Sequence, residues 1–237
     1  MMRCTILQPT YIPWIGYFEM ISSADVFVVY DHVQFVRKSW QQRNRVKTSN
    51  GVATLSVPVQ HAPQKTRICD VRISYVNGDP LEKHWQTIRG SYKRAAYFAL
   101  YESVFEEIYT GKPEYLRDLN VSLIRAICNI LDIQTPIIFS SHLGIENGGT
   151  NKSDDVVALC KAISATHIYD AKGAEVFLDR ESFTASGVSI SFQEFTHPRY
   201  TQLWGKFEPY LSVIDLIFNE GGGSLQIIRE GCHSVPE

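Results

Sequence analysis

Polar side chains follow the strand-like runs near the start of the chain. Gln8 comes directly after the apolar run RCTIL, and Asp31 comes directly after the run DVFVVY, with Gln34 three residues further on. Open α/β sheets bind ligands at the carboxyl ends of their strands, so we expect these three side chains to lie at one crevice. A carboxylate there can bind a cation, a ribose or an amine. The alternative is that Asp31 caps a helix or forms a turn.

A basic segment, VRKSWQQRNRVK, comes next, and no acidic residue follows it until Asp70. Arginine forks and lysine ammonium groups bind phosphate or carboxylate, which makes Arg37, Lys38 and Arg43 candidates for anion binding. Trp40 can stack on a base or on a sugar face. The alternative is a solvated surface loop.

A second candidate site is the segment ENGGTNKSDD, which leads into a predicted helix. Lys152 and Ser153 lie where the free N–H groups of a helix N-terminus bind anions, and Ser153 is the predicted N-cap. The pattern of a Walker A loop is absent. The alternative is a flexible loop with a capping serine. Lys172 and Gly173 follow another strand-like run, THIYD, and are expected at the same crevice as Gln8 and Asp31.

Composition narrows the class of protein. The chain has 237 residues, of which 44% are hydrophobic and 20% charged, with a net charge of −2. These values are ordinary for a globular protein and argue against a general nucleic-acid binder. The five cysteines are scattered without metal-ligand spacing, which fits a reducing cytoplasm and predicts no metal site. We expect neither a membrane span nor a signal peptide, and therefore a cytoplasmic protein.

The hydrophobic patterns alternate between strand and helix along most of the chain. This alternation predicts a Rossmann-like α/β fold with a mainly parallel sheet, in one domain that spans residues 1–237. A small antiparallel and helical insertion is expected at about 45–132. In it, residues 52–59 and 66–74 alternate and are predicted to pair as a hairpin. Three helices follow, the first of which is predicted to be capped by Asp79.

The N-terminal motifs resemble those of the WbqC-like family of bacterial proteins. The family pattern begins with Gln-Pro-x-Tyr-x-Pro-x-x-Gly-Tyr-Phe and continues through Tyr-Asp-x-Val-Gln-Phe to a Trp and an Arg-Asn pair. The matching positions are Gln8, Pro9, Tyr11, Pro13, Gly16, Tyr17, Phe18, Tyr30, Asp31, Val33, Gln34, Phe35, Trp40, Arg43 and Asn44. The blocks SYKRAAYF and ATHIYDAKGAEVFLD extend the resemblance over nearly the whole chain.

This resemblance implies a context in O-antigen, lipopolysaccharide or other surface-polysaccharide biosynthesis. The implied activity is transfer of an amino acid such as glycine, or of another acyl group, to a nucleotide-linked amino sugar. ATP, an aminoacyl-tRNA or a thioester would activate the donor. The alternative is a non-catalytic protein that binds a nucleotide sugar or a partner within a polysaccharide assembly.

Within that reading, each candidate residue has a predicted role. Asp31 would accept a proton from the sugar amine, which must be neutral to react, and Gln8 and Tyr11 complete the predicted catalytic set. The predicted substrate- and phosphate-binding residues are Gln34, Arg37, Lys38, Trp40, Arg43, Asn44, Lys152, Ser153, Lys172 and Gly173.

The start of the chain is also similar, more weakly, to the nucleotidylyltransferase type of α/β fold. Those enzymes hold ATP through a His-x-Gly-His motif at the first helix. The corresponding residues here are Pro13-Trp14-Ile15-Gly16-Tyr17, with no histidine. The similarity therefore implies the fold without the usual site for adenylate transfer.

Overall fold

A computed structural model describes residues 1–145 and 151–233 of the chain, and the elements named below lie within these residues. The strands are β1 (Arg3–Leu7), β2 (Val26–Val29), β3 (Arg43–Thr48), β4 (Gly51–Ser56), β5 (Ile137–Phe139), β6 (His167–Asp170) and β7 (Ser189–Phe192). The α-helices are α1 (Ile15–Ser22), α2 (Pro80–Tyr92), α3 (Phe98–Thr110), α4 (Leu116–Ile130), α5 (Lys152–Ala162), α6 (Arg180–Ala185), α7 (Val213–Glu220) and α8 (Ser224–Glu230).

Five strands form one parallel sheet in the order β5-β2-β1-β6-β7. The strands at its centre are apolar almost throughout because helices cover both faces of the sheet. In β2, Phe27 and Val29 pack into one hydrophobic cluster, whereas Val26 and Val28 pack into the other. The predicted Rossmann-like parallel sheet is confirmed.

The two faces of the sheet are covered unequally. The larger cluster contains apolar side chains of α1, α4, α7 and α8 together with those of α2 and α3. The smaller cluster is built from α5 and α6 against the other face. None of the helices in residues 1–145 and 151–233 combines the length and apolarity that crossing a membrane requires.

The segment between β2 and β5 contains the small antiparallel sheet and the helices α2, α3 and α4. Asp79 caps α2 by accepting hydrogen bonds from the backbone N–H groups of Leu81 and Glu82, as predicted. That this segment is an insertion at about 45–132, within one domain of residues 1–237, stays a prediction.

The predicted pairing of residues 52–59 with 66–74 is present only as one isolated antiparallel bridge, with Val59 opposite Ile73. Strand β4 itself pairs with β3 across the Ser49-Asn50 turn, with Thr48 opposite Gly51. Gly51 adopts a φ of 101°, which side chains disfavour. The run RNRVKT forms strand β3, although it belongs to the basic segment for which a solvated surface loop was the alternative. Lys47 is nevertheless buried, and its Nζ donates hydrogen bonds to Gln202 Oε1 and to the carbonyl oxygen of Lys206.

Candidate functional site

The carboxyl edge of the parallel sheet brings together residues from distant parts of the chain. Gln8 follows β1, Asp31 lies just beyond β2, and Lys172 and Gly173 follow β6. The strand order places the topological switch point between β1 and β6, because the chain leaves β1 toward β2 and later returns to β6 on the opposite side. Such a switch point opens a crevice where ligands bind.

Two adjoining cavities lie at this point and share Gln8, Tyr30 and Lys152; together we call them the switch-point crevice. Their volumes are about 250 Å³ and about 330 Å³. The first is lined by Ile6, Leu7, Gln8, Thr10, Trp14, Tyr17, Met20, Tyr30, Lys152, Val156, Asp170, Ala171 and Ala174, and the second by Gln8, Tyr30, Val33, Gln34, Asn151, Lys152 and Asp155.

A third cavity of about 420 Å³ adjoins the crevice and shares Thr10, Trp14 and Tyr17 with it. We call it the aromatic cavity; its lining residues are Thr10, Trp14, Tyr17, Trp40, Asn44, Arg45 and Tyr210. The three shared residues separate the crevice from the aromatic cavity, so the two cavities lie next to each other.

Asp170 is the carboxylate at the switch point. It ends β6, is only 7% exposed, and accepts a hydrogen bond of 2.7 Å from the backbone N–H of Ala171. Burial raises the pKa of Asp170 from 3.8 to about 6, while that hydrogen bond and the charge of Lys152 act in the opposite direction. An acid with a pKa near 6 exchanges a proton readily near neutral pH.

The N-terminus of α5 faces the same crevice. Asn151 caps the helix by accepting a hydrogen bond of 3.0 Å from the backbone N–H of Asp154, so the prediction that Ser153 is the N-cap was wrong. Ser153 is buried, and its Oγ accepts a hydrogen bond from the backbone N–H of Asp179. Lys152 is exposed and lines both parts of the crevice. Its ammonium lies 5.2 Å from the centroid of the Phe177 ring.

A second buried carboxylate, Asp155, lines the crevice one turn further along α5. It accepts a hydrogen bond from the Tyr30 hydroxyl and lies 3.4 Å from His32 Nε2. The other ring nitrogen of His32 lies 2.8 Å from Ser140 Oγ. Burial and the Asp155 carboxylate both raise the pKa of Tyr30, which keeps its hydroxyl protonated. This chain of polar groups holds the crevice wall in place.

Asp31 lies at the predicted edge but does not line any of the three cavities. It is fully buried, and its carboxylate accepts hydrogen bonds from Ser140 Oγ, from Ser141 N and Oγ, and from Arg117 Nη1 at 3.2 Å. These contacts tie β2 to the turn after β5 and to α4. Its catalytic role stays a prediction, and its surroundings favour a structural one.

Tyr11 and Asn44 are also buried. The Tyr11 hydroxyl lies 2.8 Å from both His84 Nδ1 and the Tyr109 hydroxyl. The Asn44 side chain donates hydrogen bonds to the carbonyl oxygens of Tyr11 and Ile12, at 3.1 and 2.8 Å. Asn44 thus reaches the aromatic cavity, whereas the Tyr11 hydroxyl is enclosed by its partners.

The basic segment is divided between cavity and surface. Arg37 and Lys38 are exposed and line no part of the three cavities, and Arg43 is half-buried at the start of β3 without lining them. Trp40 and Arg45 do line the aromatic cavity. On the far side of the crevice, Lys172 is exposed and pairs with Glu175 at 2.9 Å, and Gly173 is exposed.

The structure thus gathers Gln8, Gln34 and Lys152 at the crevice, and Trp40 and Asn44 at the aromatic cavity. Sequence reasoning missed the crevice residues Tyr30, Asp155 and Asp170, and it missed Trp14 and Tyr210 at the aromatic cavity. Arg45 belongs to the basic segment that was predicted to bind anions. Asp170 had a usable signal, because it ends the strand-like run THIYD, much as Asp31 directly follows the run DVFVVY. Among the described residues, no group of three or more His, Cys, Asp or Glu side chains is suited to a metal ion.

Comparison with known proteins supports the motif resemblance. The WbqC-like protein family model matches residues 8–227. The uncharacterized protein Rv1507c of Mycobacterium tuberculosis (strain ATCC 25618 / H37Rv) is 34% identical over 233 residues, which cover 97% of this chain and 98% of that protein. No solved structure shows a significant match. The family match over residues 8–227 and the near-complete coverage of the relative lead to one conclusion: this chain belongs to the WbqC-like protein family.

Proposed function

We propose that the protein is an enzyme that transfers an acyl or amino-acyl group to the amine of a nucleotide-linked amino sugar in surface-polysaccharide biosynthesis. The observation that carries this proposal is the Asp170 carboxylate, which lines the switch-point crevice and whose pKa burial raises to about 6. A sugar ammonium must lose a proton before it can attack a carbonyl carbon. A carboxylate with this pKa is ionised at neutral pH and basic enough to take that proton.

The reaction has a simple balance at these residues. The neutral amine attacks the carbonyl carbon of the activated donor, a C–N bond forms, and the bond from that carbon to the leaving group breaks. The leaving group departs with the bonding electron pair. Asp170 accepts the proton that the amine loses. The donor is an activated acyl group of the classes given above: a thioester, an aminoacyl-tRNA or an acyl group activated by ATP.

Lys152 and the α5 N-terminus supply binding for the phosphates of the substrate. The dipole of the helix favours an anion at this end, and Lys152 adds a positive charge on the same wall of the crevice. Gln8 and Gln34 offer amide groups for the hydroxyls of the sugar. This arrangement would hold the amine near Asp170, with the diphosphate toward α5.

The experiment is a mass-spectrometric assay of product formation, with a panel of nucleotide-linked amino sugars and activated donors. Asp170→Asn should reduce turnover at least about a hundredfold, because general-base catalysis contributes about 10²–10⁴-fold. The matched control is Glu107→Gln, an exposed carboxylate on α3 outside the crevice, which should leave turnover unchanged.

Two outcomes would overturn the proposal. Full turnover by Asp170→Asn would remove the proposed base. Tight binding of an amino-sugar nucleotide by the wild-type protein, without turnover for any donor in the panel, would favour the non-catalytic binding protein.

A further inference from the structure

The aromatic cavity is the largest of the three, and the transfer chemistry does not use it. Four aromatic rings contribute to its wall: those of Trp14, Tyr17, Trp40 and Tyr210. Trp40 is 52% exposed, so a large aromatic surface faces solvent beside the cavity. Exposed indole rings offer flat apolar faces on which a planar ligand can stack.

The backbone around this cavity is held in unusual conformations. Ile12, Lys38 and Tyr210 adopt φ values of 37°, 58° and 58°, and each lies in or within two residues of the cavity wall. A β-branched residue such as Ile12 rarely adopts this conformation, and strained residues of this kind cluster at ligand-binding sites. The Asn44 side chain fixes the turn by binding the carbonyl oxygens of Tyr11 and Ile12.

Arg45 makes the cavity positively charged. One guanidinium nitrogen donates a 2.9 Å hydrogen bond to the carbonyl oxygen of Tyr210, and the guanidinium carbon lies 6.0 Å from the centroid of Trp40. The lining residues include no carboxylate, and Arg45 forms no ion pair within the described parts of the chain. A cation beside aromatic rings fits a planar ligand that carries electron-rich acceptor atoms.

We infer that the aromatic cavity is the nucleobase subsite of a nucleoside diphosphate. The base stacks on Trp40, and Arg45 meets its acceptor atoms. This inference rests on the proposed function in one respect: the base of the nucleotide-linked substrate would lie in the aromatic cavity while its sugar amine lies near Asp170, on the other side of Thr10, Trp14 and Tyr17.

Calorimetric titration tests the subsite without any turnover. The probes are UDP, CDP, GDP and ADP, with pyrophosphate and ribose 5-phosphate as ligands that lack a base. At least one nucleoside diphosphate should bind at least about tenfold more tightly than either ligand without a base. Trp40→Ala should weaken its binding about tenfold to a hundredfold, the range known for loss of one stacking ring. Trp40→Phe should recover part of this loss.

Arg45→Met should weaken the same nucleotide about tenfold or more, because it removes a charged donor. The matched control is Arg94→Met, an exposed arginine outside the cavity, which should leave binding unchanged. Thermal melts of all variants check that they are folded. Because the Trp40 side chain is largely exposed, its replacement should not prevent folding.

Equal affinity for nucleotides and for ligands without a base would overturn the subsite, as would an unchanged nucleotide affinity in both Trp40→Ala and Arg45→Met. Either result would leave the transferase proposal open, because the amino sugar and its phosphates would still bind in the crevice. Conversely, base-dependent binding without any turnover, retained in Asp170→Asn, would support the subsite and contradict the transferase.

Discussion

Two aspartates at equivalent positions show how residue surroundings decide function. Asp31 and Asp170 each come at the carboxyl end of a parallel strand. Asp31 is enclosed by hydroxyl groups of Ser140 and Ser141 and by the guanidinium of Arg117. Asp170 lines a cavity, and the charge of the Lys152 ammonium lowers its pKa. The second environment leaves a carboxylate available for proton transfer.

A pH profile of turnover tests the coupling of Lys152 to Asp170. The rate should rise with pH through about 6, because only ionised Asp170 accepts a proton. The charge of Lys152 lowers the pKa of Asp170, so Lys152→Met should move this acid limb to higher pH. Lys161→Met, near the other end of α5, is the control and should leave the limb in place. An unshifted limb in Lys152→Met would contradict the coupling.

His84 is a second residue whose burial has a measurable consequence. Burial lowers its pKa from 6.5 to about 4, so the folded state prefers the neutral ring. Because the unfolded state binds this proton more tightly, the free energy of unfolding is highest above pH 6.5. It falls by about 3 kcal/mol as the pH falls from 6.5 toward 4. Urea unfolding of the wild type and of His84→Gln, measured across these pH values, checks this. The variant should lose this part of the pH dependence, and equal slopes would contradict the assignment.

At the scale of elements, helix α1 positions the wall between the two binding regions. The Trp14 indole packs so closely on Gly16 that a Cβ there would lie 2.3 Å from the ring. Gly16→Ala should therefore displace Trp14, which lines both the crevice and the aromatic cavity. We expect weaker nucleotide binding and a changed tryptophan emission spectrum.

The control for this prediction is Gly90→Ala in α2, where a Cβ meets no atom within 4 Å. That variant should bind nucleotides normally and gain up to about 1 kcal/mol in stability, since alanine is the better helix former. If both glycine variants bind nucleotides equally well, the Trp14 ring does not shape the site.

At the scale of the whole molecule, the Asp31–Arg117 pair joins the parallel sheet to α4. Asp31 is fully buried, and the Arg117 side chain is 22% exposed. Asp31→Asn should lower the unfolding free energy by about 1–3 kcal/mol, because it weakens charge-assisted hydrogen bonds to buried donors. Asp118→Asn is the control: it breaks a half-exposed pair with the same arginine and should cost no more than about 1 kcal/mol.

Chemical denaturation of these two variants, together with their turnover, separates structure from catalysis. A loss of stability in Asp31→Asn larger than that in Asp118→Asn would support the structural link. Loss of turnover in Asp31→Asn at unchanged stability would instead restore the catalytic role predicted from the sequence.

The sequence by itself determined the α/β architecture and the edge of the sheet at which the candidate site was expected. A continuous apolar run such as β2 indicates a strand that is buried on both faces, as strands of a parallel sheet are. A polar residue directly after such a strand then lies at the carboxyl edge of the sheet. Gln8, Asp31 and Lys172 could therefore be placed at one edge without coordinates. The family motifs around Gln8 and Tyr30 could be recognised because the residues of each motif are contiguous in the chain.

Only the tertiary structure decided which of these residues line a cavity. Asp31 is covered by Ser140 and Ser141, more than a hundred residues away along the chain. Arg45, rather than Arg43, lines the aromatic cavity, and its guanidinium donates a hydrogen bond to the carbonyl oxygen of Tyr210, which is 165 residues away along the chain. Exposure, pKa and hydrogen-bond partners arise from contacts between remote segments, whereas local patterns record only strand, helix and turn.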